Sequence, residues 1–250
     1  MAAYVQDTIM LLGDSLTQGG WEAHGFAQKL SYVYARKLDV INRGLGGYQT
    51  DWAIPVFEQI FAKKQEQQHV PKVRLLTIWY GANDASPAPS PQHVPRDRYK
   101  SNLAHLIHMV TSPTSPWYSP DTRIILITPP PVNTHQWDGR VFEVTRSYAE
   151  AVKEVGLKEN IPVADVWTEI WQAAGQDEKS CENFLYDGLH LNAAGYEIIF
   201  NSLIKIISEK YPELHYDRLQ NVFSPWSEVD VANPRPSLVK RPALVNLAQL

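Results

Sequence analysis

A single cysteine, Cys181, in a chain of 250 residues leaves no partner for an intrachain disulfide. The fold must therefore close on its hydrophobic core, and a reducing compartment is the expected setting. No stretch approaches the roughly 20 consecutive apolar residues that cross a bilayer, so no membrane span is expected. The N-terminal "MAAYVQDTIMLLGDS" has no basic n-region, and its short apolar run reads as a core strand rather than a signal peptide. A cytoplasmic protein is the resulting expectation. Positive charge is not in excess either: 23 Lys and Arg against 27 Asp and Glu give a net charge of −4. That balance offers no footprint for nucleic acid or anionic lipid. Internal repeats, the complete dinucleotide and P-loop patterns and the G-x-S-x-G nucleophile elbow are all missing, which excludes an α/β-hydrolase elbow at the level of sequence.

What is present is a regular alternation. Apolar runs at 8–12, 39–42, 73–80, 123–129 and 161–166 are bounded by turn residues, and several are apolar almost throughout. That pattern marks parallel strands covered on both faces. Between them, segments such as "GFAQKLSYVYARKL", "RDRYKSNLAHLIHMV" and "RVFEVTRSYAEAVKEVGLKEN" carry apolar residues at three- and four-residue intervals, as amphipathic helices do. A final helix, "NAAGYEIIFNSLIKIISEKY", has Asn192 placed as its cap. Alternating strand and helix predicts an α/β protein, a flavodoxin-like three-layer sandwich with a five-stranded parallel sheet. The domain is expected over residues 1–211. Residues 212–250 change character, with prolines at 212, 225, 234, 236 and 242 among scattered apolar residues. This extension is too short for a second domain and too apolar for a free tail, so it is expected to pack across the domain or onto a second subunit. A further proline-rich stretch, 85–95, directly follows a strand and is expected to rim a site.

Chemistry-bearing residues gather in Gly13-Asp14-Ser15, Asn42-Arg43-Gly44-Leu45-Gly46-Gly47, Gly81-Ala82-Asn83-Asp84 and Asp187-Gly188-Leu189-His190. All but the last follow strands, so a parallel sheet delivers them to one edge, where ligands of open α/β folds bind. Acyl transfer needs a nucleophile, a base, a group that orients the base, and oxyanion donors. Ser15, His190 and Asp187 fit the first three roles, with a turn through Gly188 carrying the carboxylate to the imidazole. The backbone N–H groups of Ser15 and Gly47 and the Asn83 amide fit the oxyanion hole, with Gly46 and Gly44 as competitors for Gly47. Each motif alone has a bland reading, as a turn, an Asx-turn or a helix cap. Their joint occurrence in this order favours a site over a non-catalytic binding scaffold. A metal-dependent phosphoesterase built on Asp14, Asp187 and His190 has too few convergent ligands. His105 and His108 form H-x-x-H on a helix without a third ligand at suitable spacing, so a partly exposed helix face is the better reading. Trp79, Trp137, Trp167 and Trp171 read as core or pocket wall, and Cys181 as a structural thiol.

At "GDSLTQ", "NRGLGG", "GAND" and "DGLH" the chain resembles the SGNH, or GDSL, hydrolase superfamily. The resemblance assigns Ser15 as nucleophile, Asp187 and His190 as its triad partners, and Gly47 and Asn83 as oxyanion donors. The family's glycine sits five positions after the block's asparagine, here Asn42, which favours Gly47. Over residues 8–211, "GGWEAHGFAQKL", "NRGLGGYQTDWA", "WYGANDAS", "QHVPRDRYKSNL", "ILITPPPV" and "YDGLHLNAAG" resemble isoamyl acetate-hydrolysing esterases. That implies hydrolysis of small carboxylic esters such as acetates of short alcohols, a homodimer, and neither metal nor organic cofactor. Carbohydrate O-acetyl esterase and lysophospholipase-like activities, the latter in lipid metabolism, are alternatives on the same triad. Trp21, Tyr80 and the Pro129-Pro130-Pro131 turn, with Pro130 at its centre, are the expected substrate contacts.

Overall fold

The computed structural model describes residues 6–245. Its core is β1 (Thr8–Gly13), followed by the single-turn α1 (Ser15–Gln18) and α2 (Phe26–Val33). β2 (Asp39–Gly44) leads to α3 (Thr50–Ile60), and β3 (Val73–Trp79) to α4 (Arg96–Thr111). β4 (Arg123–Ile127) precedes α5 (Phe142–Glu159), and β5 (Val163–Ala164) runs into α6 (Val166–Ala173), before the closing α7 (Ala193–Lys210). The five strands pair in the order β2-β1-β3-β4-β5, all parallel. This is the expected doubly wound α/β sandwich.

The alternation of side chains along β1 divides the core. Ile9 and Leu11 point to the face packed by α2, α6 and α7, where they join Phe26, Leu30, Ile170, Ile199 and Leu203. Met10 and Leu12 point to the opposite face, among Phe57, Leu103, Leu106, Tyr148 and Val152 of α3, α4 and α5. Burying one such Leu, Ile or Phe contributes about 1.5–3 kcal/mol, so β1 draws on both layers. β2, at the sheet edge, is mostly half-buried.

One local difference from the sequence reading has a simple cause. The fifth strand is confined to Val163–Ala164, because the Asp165 side chain accepts from Thr168 N at 3.2 Å and starts α6 at Val166. A capping carboxylate there overrides the apolar run. Asn192 caps α7 through Oδ1, which accepts from Ala194 N and Gly195 N at 2.9 and 3.1 Å.

The segment after α7 lies against the amino edge of the sheet. Leu214, Leu219, Val222 and Ala243 are buried in the α2/α6/α7 core. The Tyr34 hydroxyl donates to Leu214 O at 2.9 Å, Val222 N to Arg36 O at 2.9 Å, and the Arg123 guanidinium pairs with Glu213 at 3.0 Å. These contacts place it at the opposite end of the strands from Ser15. Residues 246–250 of the extension lie outside the described residues, as do residues 1–5 of the N-terminal stretch.

Candidate active site

β1 ends at Gly13, whose neighbours in register are Gly44 of β2 and Trp79 of β3. The three strands therefore release their loops at one level. Asp14 caps α1, its Oδ1 accepting from Leu16 N at 2.9 Å, and Ser15 opens the helix with its side chain half-buried. The close fit around this corner demands glycine. A Cβ on Gly44 would lie 2.0 Å from Gln18 N, a backbone atom that cannot swing away. Asn42 braces the same junction: its Nδ2 donates to Thr17 O at 2.7 Å and its Oδ1 accepts from Gly44 N at 2.8 Å.

His190 reaches Ser15 from 175 positions away in sequence, with Nε2 3.0 Å from the Ser15 Oγ. Its Nδ1 lies 2.7 Å from Asp187 Oδ2. The Asp187–His190 turn passes through Gly188 at φ +91 and is closed by Tyr186 N donating to His190 O at 2.9 Å. A proton on Nδ1 is held by Asp187, which leaves the Nε2 lone pair to accept from the serine hydroxyl. Asp187 Oδ1 also accepts from His190 N and Leu189 N at 2.7 and 2.9 Å. Burial alone would raise the Asp187 carboxyl. The His190 and Leu189 amides and the imidazole outweigh it and hold the group below the usual carboxylate range.

The rings around His190 were not singled out from sequence as its supports. Trp137 meets the imidazole edge-on at 5.7 Å between centroids, and Tyr186 stacks on it at 5.8 Å and 18°. The loop after β4 carries Trp137 and ties to the turn through Asn133 N donating to Gly188 O at 2.8 Å. No local pattern announces this contact, since the loop and the turn meet only through the fold.

The three candidate glycine amides are differently employed. Gly44 N donates to Asn42 Oδ1, and Gly46 N donates to Gln18 Oε1 at 2.9 Å. Among the hydrogen bonds of the described residues, none uses the N–H of Gly47 or of Ser15. Gly47 sits at φ +81, and its carbonyl accepts from Gln92 Nε2 at 2.8 Å. Gln92 belongs to the proline-rich 85–95 loop, which thus borders the site. The Asn83 amide is buried, its Nδ2 donating to Tyr48 O at 2.9 Å and its Oδ1 accepting from Arg140 Nη2 at 3.1 Å. Asp84 does cap a helix, but a distant one: its Oδ1 accepts from Thr50 N at 3.0 Å, at the start of α3. Burial raises the Asp84 carboxyl to about 6 and that of Asp14 to about 7, the second aided by the Asp84 charge.

Of the expected substrate contacts, Trp21 is open to solvent at 46 % exposure, just past α1. Tyr80 and Pro130 do not form walls. Tyr80 is 1 % exposed and packs in the α3/α4/α5 core, and Pro130 is buried behind the loop after β4. Tyr80 lies one step past the end of β3, where a single residue of register decides between core and cleft. His105 and His108 line a groove of about 570 Å³ between α4 and α5, with His108 Nε2 2.6 Å from Glu159 Oε2. Cys181 is buried, and burial pushes its thiol up to about 12, which makes it inert at neutral pH.

A serine, an imidazole and a carboxylate in line at the carboxyl edge of a doubly wound sheet define a class of hydrolase on structural grounds. The sequence profile of the GDSL-like Lipase/Acylhydrolase family matches residues 11–198, and the chain belongs to that family as a carboxylic ester hydrolase. It is 32% identical over 250 residues to the isoamyl acetate-hydrolyzing esterase 1 homolog of Mus musculus, an alignment covering 95% of this chain and 94% of the relative. It is 27% identical to the isoamyl acetate-hydrolyzing esterase of Saccharomyces cerevisiae, across 89% of this chain and 95% of that one. Among solved structures, the lipase/acylhydrolase from Enterococcus faecalis superposes with a TM-score of 0.64 at 23% identity, covering 88% of this chain and all of that one. At that identity the superposition shows the shared fold.

Proposed function

We propose that the protein hydrolyses small, acetate-type carboxylic esters through an acyl-enzyme on Ser15. The observation that carries this reading is the chain of contacts from Ser15 Oγ to His190 Nε2 and from His190 Nδ1 to Asp187 Oδ2. His190 removes the hydroxyl proton as Oγ bonds to the ester carbonyl carbon. The oxyanion of the tetrahedral intermediate is bound by the Ser15 and Gly47 N–H groups and by Asn83 Nδ2. Collapse breaks the bond to the alkoxy oxygen, and the imidazolium gives its proton to the departing alcohol. Water then enters and loses a proton to His190 as its oxygen bonds to the acyl carbon. The acid leaves, and the proton returns to Ser15 Oγ.

The acetate preference is supported by the relatives, which are named for isoamyl acetate. The test is kcat/KM across p-nitrophenyl acetate, butyrate and octanoate. A fall with acyl length is expected, and equal values would refute a short acyl pocket. The same reading carries a cytoplasmic setting, consistent with one buried cysteine, and a homodimer. The exposed Phe223, Trp226 and Val231 of the extension supply apolar surface for such a contact, and light scattering in solution checks it.

A further inference from the structure

We infer that Arg140 is a positioning residue for the oxyanion hole, selecting the orientation of the Asn83 amide. The inference rests on the esterase reading above. An asparagine amide is nearly isosteric with its own flipped form, so its surroundings must choose which end is oxygen and which is nitrogen. Here the choice is made on both sides. Arg140 Nη2 donates to Asn83 Oδ1 at 3.1 Å, and Tyr48 O accepts from Asn83 Nδ2 at 2.9 Å. Flipping the amide would set NH2 against guanidinium and carbonyl against carbonyl. The Arg140 contact is the charge-assisted one and is the stronger lock. A positive donor on Oδ1 also draws electron density from the amide, which makes the second N–H of Nδ2 a better donor to a developing oxyanion.

Arg140 is built for a fixed position rather than for solvent. It is only 9 % exposed, and Nε donates to Ala82 O while Nη1 donates to Gly139 O, both at 2.7 Å. Burial lowers its proton affinity, and the charge of Asp14 works the other way. The guanidinium thus joins the β3 loop that carries Asn83 to the segment before α5. Lysine carries its three N–H donors on a single nitrogen and cannot reach three acceptors spread around a planar guanidinium.

The experiment is a double-mutant cycle in kcat and KM on p-nitrophenyl acetate, with Ser15→Ala run in parallel. Arg140→Met is expected to lower kcat about 10- to 100-fold, short of the about 100- to 1,000-fold loss from removing an oxyanion donor outright. KM should change less than about 3-fold, because a group acting on the transition state leaves ground-state binding alone. In the Asn83→Ala background the same substitution should cost almost nothing further, since there is no amide left to orient. Arg140→Lys should recover part of the loss in the Asn83 background only. If Arg140→Met does not fold, Arg140→Lys is carried through the same cycle. Equal fractional losses with and without Asn83, or a kcat within about 2-fold of wild type, would overturn the positioning role. Retained activity in Ser15→Ala would instead overturn the serine mechanism, so the two failures are distinguishable.

Discussion

At the amino edge of the sheet, strand-end amides meet backbone partners: Thr8 N donates to Lys72 O at 2.8 Å and Asp39 N to Asp7 O at 2.9 Å. Arg74 Nε pairs with Asp7 Oδ2 at 2.7 Å, and residues of the extension lie over this end. At the carboxyl edge the finish is the reverse. Asp14 Oδ2, Asp84 Oδ2, Thr17 Oγ1 and Tyr80 OH are buried there without hydrogen-bond partners among the described residues. Two carboxyl groups are pushed up by burial, and one arginine is committed to backbone and amide oxygens. The strands thus end in paired amides beside the extension on one side and in a costly polar surface on the other. Unpaired buried groups are rare and concentrate where a protein does chemistry. Stability is supplied at one end and drawn down at the other.

Substitutions at the two ends should therefore separate activity from stability. The largest effect is expected for Asp187→Asn, which disturbs the imidazole tautomer while leaving the turn in place: kcat should fall about 10,000-fold, read by steady-state kinetics with the folded state checked by circular dichroism. Asn83→Ala should cost about 100- to 1,000-fold in kcat with the fold intact, and near-full turnover would remove Asn83 from the oxyanion hole.

Asp14 offers a test in pH. Its folded carboxyl lies at about 7 against an ordinary value of 3.8, so between those values the unfolded chain loses a proton that the native protein keeps. Stability from this group is therefore lost as pH rises from about 4 to about 7, by an amount on the order of 4 kcal/mol, and is flat above. Urea unfolding of Asp14→Asn should show the variant gaining on wild type over that window, and a constant difference would contradict the burial account. The smallest effect belongs to the amino edge. Leu214→Ala should lower stability by about 2 kcal/mol, at the low end for a buried leucine. Its kcat/KM should stay at the wild-type value, and a parallel loss of activity would break the separation.

How much of this was legible beforehand depended on the range of the interaction. The strand and helix alternation follows from local periodicity, and the sheet order matches the sandwich that alternation implies. Gly13-Asp14-Ser15 and Asp187-Gly188-Leu189-His190 were readable because strand-end turns and a short Asp-to-His spacing are local features. Arg140, Gln92 and Trp137 were not, because each acts on a residue brought near by the fold: Arg140 and Asn83 are 57 positions apart and Gln92 and Gly47 are 45. Tyr80 and Pro130 were misjudged for a related reason. Adjacency of Tyr80 to the Gly81–Asp84 motif does not say which face of the strand end its side chain takes, and proline bulk in the loop after β4 does not say whether Pro130 faces the cleft or the core. The competition among Gly44, Gly46 and Gly47 was legible, but not that Asn42 and Gln18 occupy the first two amides.

The most direct test is to quench wild type and Ser15→Ala during turnover of p-nitrophenyl acetate and map the peptides by mass. The account expects one acetyl group on the peptide containing Ser15 in the wild type, with neither adduct nor turnover above background in the variant. Undiminished turnover in Ser15→Ala, or the acetyl group on another side chain that turns over, would contradict it.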